Sequence, residues 1–149
     1  MKVFISPNEA AAKTTVQNLP LVNGIEFLQK NSETTEIQRA NFRKAHEAGV
    51  KIVFGTDAGV YPHGQNAKQF SYMTKHGMTK LEAIQAATVK AAEVLGMSQE
   101  IGQVEEGFFA DIIAVSNNPL TDIKSLEDIQ YVIKAVSYTH LTLPTILLV

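Results

Sequence analysis

The sequence contains no cysteine, which excludes disulfides, thiolate catalysis and Cys-ligated zinc. That absence fits reducing and oxidising compartments equally, so localisation stays open. A net charge of -2 leaves no basic field for nucleic acid or an anionic membrane. No apolar run is long enough to span a bilayer. The opening residues, Met1-Lys2-Val3-Phe4-Ile5-Ser6-Pro7, lack the long apolar stretch of a signal peptide. Also absent are a His-x-His pair, a His-Glu-x-x-His helix, a glycine-rich phosphate loop and a Gly-x-Ser-x-Gly elbow.

What is present suffices for one ordinary domain with a real core: 149 residues with an apolar share typical of globular proteins. The most informative stretch is Val50-Lys51-Ile52-Val53-Phe54-Gly55-Thr56-Asp57-Ala58-Gly59. Its short apolar run, rich in β-branched residues, predicts a strand over 51–55 covered on both faces. Gly55 stops the run and Asp57 follows just past its carboxyl end. In parallel α/β architectures chemistry is placed at that end, so Asp57 is the first catalytic or metal-ligating choice. A turn residue or helix N-cap is the alternative role for the same Asp.

The rest of the chain reads as a crossover unit around this strand. Val3-Phe4-Ile5 suits a strand and residues 6–22 a loop. Asn23 is expected to cap a short helix carrying Ile25, Phe27 and Leu28, followed by a polar break at 31–35. A second helix is expected over about 33–48, with Ile37, Ala40, Ala45 and Ala48 inward and Arg39, Arg43, Lys44 and Glu47 outward. Gly49 ends it. Strand, loop, helix, strand is the order of a parallel crossover.

Beyond Asp57, a loop through His63 leads to a helix over about 66–76 closed by Gly77. Thr79-Lys80-Leu81-Glu82 has the spacing of a capping box and starts a helix through Leu81, Ile84 and Ala87. Thr88 then caps Val89–Leu95, ended by Gly96, and the alanines at 83, 86, 87, 91 and 92 allow close packing. Past Ile101 the texture changes. Strands are expected at 101–104, 108–115 and 131–133, with a turn at Asn117–Leu120 and Ser125 as a cap.

Chemistry-bearing residues are few. A carboxylate at Asp57 can bind a divalent ion, or take a proton from a water and hand it to a leaving group. His63 lies six residues on, in a loop with Gly59, Pro62 and Gly64. A neutral imidazole there can ligate metal or grip a substrate carboxylate, or simply bond to backbone. His46 is expected to be solvated, His76 to serve the dipole at a helix end, and Asp111 to be a turn or edge carboxylate.

Gly55-Thr56-Asp57-Ala58-Gly59 resembles the eighth-strand motif of the amidohydrolase superfamily. The resemblance continues through Tyr61-Pro62-His63-Gly64, Gly77-Met78-Thr79, Glu82 to Thr88, Leu95-Gly96, Ile101-Gly102, Glu106-Gly107, Ala110 to Val115 and Asn118-Pro119-Leu120. It is similar in particular to the imidazolonepropionase-related branch, which includes Xaa-Pro dipeptidases. The resemblance implies an α/β chain from a (β/α)8 TIM-type barrel, one or two divalent metals (usually zinc), and a small β-sandwich built from both chain ends. It implies that Asp57 contacts the metal and shuttles the proton, and that His63 lies where substrate is bound. The partner implied is a small-molecule or dipeptide substrate, with neither nucleic acid nor a membrane span.

The family's other ligands come from earlier strands and have no counterpart here. A barrel of this kind takes roughly 200 residues or more. The expectation is therefore a C-terminal fragment. Residues 1–98 would supply the last two strand–helix units, 99–135 part of the sandwich, and 136–149 a non-native tail. That tail, from Val136-Ser137-Tyr138-Thr139-His140, resembles a translated transposase adapter rather than the family's Gly-x-Val-Tyr strand. His140 would then have no function. Unpaired apolar strand edges favour a partner, aggregation or a homo-oligomer. Two other readings stay open: a short non-enzymatic chain binding a partner through its open barrel edge, and a chain that is no functional unit by itself.

Overall fold

A computed structural model describes residues 21–58 and 63–134, with side chains described from Thr34 onward except at His63. The expected strand at 3–5, most of the loop at 6–22 and the tail at 136–149 lie outside the described residues.

Helix α1 runs unbroken over Leu21–Glu47. The expected cap at Asn23 and the break at 31–35 are not formed. Polar residues 30–36 include neither proline nor glycine, so nothing in them stops a helix already under way. The buried stripe also differs from the expected one. Phe42 is in the core, Ala45 packs against it, and Thr35, Arg39 and His46 are half-buried along the same face. Ile37, expected inside, is 61% exposed, and Ala40 and Ala48 are exposed too. Positions 35, 39, 42 and 46 repeat at helical spacing, and one large aromatic outweighs several alanines in choosing the face. Gly49, at φ +72°, stops the helix in a left-handed conformation.

The chain from Lys51 to Gly55 is extended, but among the described residues it joins no ladder; Ile52 makes a single bridge. This corrects the expected regular strand. The run is nonetheless the middle of the core, with Ile52 2% exposed and Val53 buried. Its backbone is tied to a helix instead: the Phe54 N–H donates to the Ala86 carbonyl at 3.0 Å.

Helices α2 (Lys68–Lys75), α3 (Lys80–Ala87) and α4 (Val89–Leu95) follow as expected. The Thr79 hydroxyl accepts from the Glu82 N–H at 3.2 Å, and Glu82 accepts from the Thr79 N–H at 2.8 Å, completing the capping box. Thr88 stands at the N-terminus of α4 but makes no cap; its hydroxyl donates back to the Ile84 carbonyl at 2.9 Å. The small residues meet at the core: Ala83, Ala86 and Ala92 are fully buried, while Leu81 is exposed. Phe42, Ile52, Met73, Met78, Ala83 and Ala86 form one apolar cluster, flanked by Phe54 and Phe70.

After Leu95 the expected strand at 101–104 is a series of bends, and the second strand shortens to β1 (Ile112–Val115). Glycine and polar residues at 102–107 give no alternating face to pair. β1 pairs antiparallel with β2 (Ile129–Ile133), Ile113 opposite Val132 and Ala114 opposite Tyr131. Between them, Asn118 Oδ1 accepts from the Leu120 N–H, and Ile123–Glu127 forms a 3-10 helix. Its cap is Asp122, which accepts from the Lys124 N–H at 3.1 Å; Ser125 is buried inside the turn rather than capping it. Ser71 on α2 donates to Glu127 at 3.1 Å, tying this turn to the helical part.

Gly102 packs against the start of α4 at φ +91°, where an added Cβ would lie 3.0 Å from the Thr88 carbonyl carbon and oxygen and from Ala92 Cβ. Gly102→Ala therefore meets both a disfavoured φ and a backbone clash, and is expected to cost about 1–3 kcal/mol. Thr79→Ala, which loses only the cap, is expected to cost about 1 kcal/mol. Denaturant midpoints of the two variants check the order.

Candidate active site at the end of the buried run

Asp57 stands two residues beyond the extended run and is exposed. Its φ is +48°, and it is the one non-glycine with positive φ among the described residues. Asp and Asn tolerate this left-handed conformation better than other side chains, because their short polar groups bond locally. A backbone outlier beside an exposed carboxylate is a pointer to function, since such strain persists only where surrounding contacts impose it.

Those contacts are visible on the amino side. Ile52 and Val53 are buried in the core. The Phe54 ring lies 4.4 Å from the Phe70 ring, centroid to centroid, tilted by 35°. Such pairs contribute about 0.5–1.5 kcal/mol beyond simple burial. With the Phe54–Ala86 hydrogen bond, they fix the run against α2 and α3 three residues before Asp57.

His63 opens a one-turn 3-10 helix, His63–Gln65, on the far side of that loop. Its side chain and residues 59–62 fall outside the described residues. Asp57 can offer oxygen donors to a divalent ion. Among the described residues, however, no three His, Cys, Asp or Glu side chains gather to hold one. The residues present thus supply one donor and do not by themselves make a metal site.

The other ionisable groups gather elsewhere. His46, expected in solvent, is partly buried, its Nε2 3.4 Å from Glu82 Oε1. Hydrogen bonds from the Thr79 backbone and hydroxyl, aided by His46, hold the Glu82 carboxyl below its usual range. His76 is not a solvated dipole partner but a buried one, 8% exposed, with neither ring nitrogen hydrogen-bonded. Burial first, then Arg39, Arg43 and Lys75, push its pKa down. Sequence reasoning missed this environment. The signal available was the His76 position just before Gly77, facing a helix whose buried stripe had been misplaced. Asp111 pairs with Lys134 beside the two-stranded sheet, as expected of an edge carboxylate.

Three comparisons bear on the site. The sequence profile of the Amidohydrolase family matches residues 3–138. An ochratoxinase of Aspergillus niger is 42% identical over 89 residues, covering 58% of this chain and 18% of that enzyme. An imidazolonepropionase of Thermoanaerobacter pseudethanolicus is 34% identical over 96 residues, covering 62% of this chain and 21% of that protein. Among solved structures, a Xaa-Pro dipeptidase with methionine bound in its active site superposes with a TM-score of 0.73 at 42% identity. That match covers 87% of this chain and 31% of the dipeptidase. The chain thus spans about a fifth of the length of these curated relatives.

The backbone strain at Asp57 gives a test that needs no substrate. Asp57→Asn is expected to leave stability within about 0.5 kcal/mol. Asp57→Val, β-branched at positive φ, is expected to lose about 1–2 kcal/mol. Equal thermal midpoints for the two variants would contradict the left-handed backbone.

Proposed function

Because this chain belongs to the amidohydrolase family, we propose that it is the closing portion of a metal-dependent hydrolase of carbon–nitrogen bonds, with Asp57 as its proton-carrying carboxylate. Family membership implies a TIM-barrel-like fold, and the described part is accordingly α/β. Within that fold, residues 1–98 would be the last two strand–helix units of the barrel and 99–135 part of the small β-sandwich. Residues 136–149 would be non-native.

The single observation that carries the reading is the exposed, left-handed Asp57 at the end of a core-buried run. Amide, cyclic amide and Xaa-Pro peptide bonds are the substrate classes, the last favoured by the dipeptidase likeness. In hydrolysis the oxygen of water joins the carbonyl carbon and its proton passes to Asp57. The C–N bond then breaks, and the nitrogen leaves with the proton that Asp57 held. A divalent ion, zinc in the usual family case, supplies a lowered pKa to the attacking water when bound. Its other donors would come from outside the described residues. His63 would contact the substrate.

The second reading is a non-enzymatic chain with a docking edge. A cleft of about 460 Å³ opens beside the buried run, lined by Val50, Lys51, Val53, Lys90, Glu93 and Val94. A further barrel unit of the same polypeptide or a separate partner could fill it.

An uninterrupted read of the native locus decides first. Under the hydrolase reading, the upstream frame encodes His-x-His and the remaining ligands, and Gly-x-Val-Tyr replaces the tail. In that complete enzyme Asp57→Asn is expected to lower kcat by roughly 10²–10⁴-fold. His63→Ala is expected to raise KM more than it lowers kcat. Wild-type turnover in Asp57→Asn would end the hydrolase assignment of this carboxylate. A soluble 149-residue oligomer from a closed native frame, without hydrolase activity, would favour the docking reading instead.

A further inference from the structure

We propose that His76 is an acid-sensitive latch, which holds the C-terminal end of α2 against α1 while neutral and releases it when protonated. The geometry is that of a group with room for no charge. His76 is 8% exposed and both ring nitrogens are buried without a hydrogen-bond partner. A neutral imidazole tolerates this at a modest cost, whereas an imidazolium would need two acceptors.

The charged surroundings offer none. Arg39 and Arg43 of α1 act on the ring as unfavourable charges, and Lys75 adds a third cation from its own helix. Among the described residues Glu36 is the one carboxylate acting on it, and Arg39 already binds Glu36 at 2.6 Å. On α3, Glu82 accepts from the Thr79 N–H and hydroxyl and faces His46. An imidazolium at 76 can find water only by leaving the interface. His76 also follows directly on α2, whose Phe70 stacks on Phe54 and whose Met73 sits in the core. Releasing the latch therefore loosens the anchor three residues before Asp57.

The sign follows from linkage. The folded-state pKa of His76 lies below its ordinary 6.5. The released state takes up the proton more readily, so docking is complete above 6.5 and is lost as pH falls below it. Glu82, whose pKa is lowered from 4.5, contributes in the same direction only in the more acid range.

Hydrogen exchange on the 149-residue chain between about pH 7.5 and pH 5.5, corrected for intrinsic rates, tests this. The amides to follow are those of His76 and Met78, which donate to Tyr72 and Met73. Their protection is expected to fall as pH drops, by at most about tenfold per pH unit for uptake of one proton. The α3 amides should hold. His76→Leu should abolish the fall and His46→Gln should keep it. Arg43→Gln, which removes one opposing cation and so narrows the gap between docked and released pKa, should make the fall smaller; this variant decides the matter if His76→Leu does not fold. Overturning results are a fall that persists in His76→Leu, one that ignores Arg43→Gln, one shared equally by α3, or unprotected α2 amides already at pH 7.5.

Discussion

Phe54 is the residue through which the described part of the chain is fastened together. Its backbone binds the C-terminal end of α3 and its ring lies on α2. Before it, Ile52 shares the core cluster with Phe42 of α1, and Val53 is buried as well. A strand normally gains its rigidity from a ladder. Here the extended run gains it from side-chain burial on both faces and one hydrogen bond to a helix. Asp57, with its left-handed backbone, follows two residues beyond this anchored run's last residue, Gly55.

The two-stranded sheet shows the opposite condition. Tyr131 is 72% exposed, and Ile113, Ile129, Val132 and Ile133 are exposed with it. The cross-strand pairs put apolar side chains on both faces of the ribbon. A ribbon of two strands is marginal in water, and an apolar pattern on both faces belongs to a layer covered from both sides. What holds it here is the adjoining 3-10 turn, where Ile123 and Leu126 are buried and Glu127 meets Ser71 of α2. The helical part is thus self-sufficient around its core, while the β part is anchored at one end only.

Local signals were legible wherever one or two residues decide the outcome. The capping box at Thr79, the stop at Gly49, the helix over Lys80–Ala87 and the β2 strand all follow from short-range chemistry. The place of Asp57, just past the end of a buried apolar run, was also legible. The misreading of the buried face of α1 depended on what the helix packs against. Which face it buries turns on Phe42, which the alanine pattern obscured. The environment of His76 could not be read until that face was known, since its charged neighbours Arg39 and Arg43 lie on α1.

Position and chemistry at Asp57 have different ranges in the chain. The run before it is held by residues between Phe42 and Ala86, through the core cluster and the Phe54–Ala86 hydrogen bond. A hydrolytic metal site needs several donors converging from different strands. Among the described residues only the one carboxylate is offered. A carboxylate whose placement depends on its own neighbourhood alone can be ordered before the other donors arrive, so little conformational entropy is lost when they converge. The φ of +48° at Asp57 thus stands two residues beyond a run whose burial and hydrogen bond to α3 come from the described residues themselves.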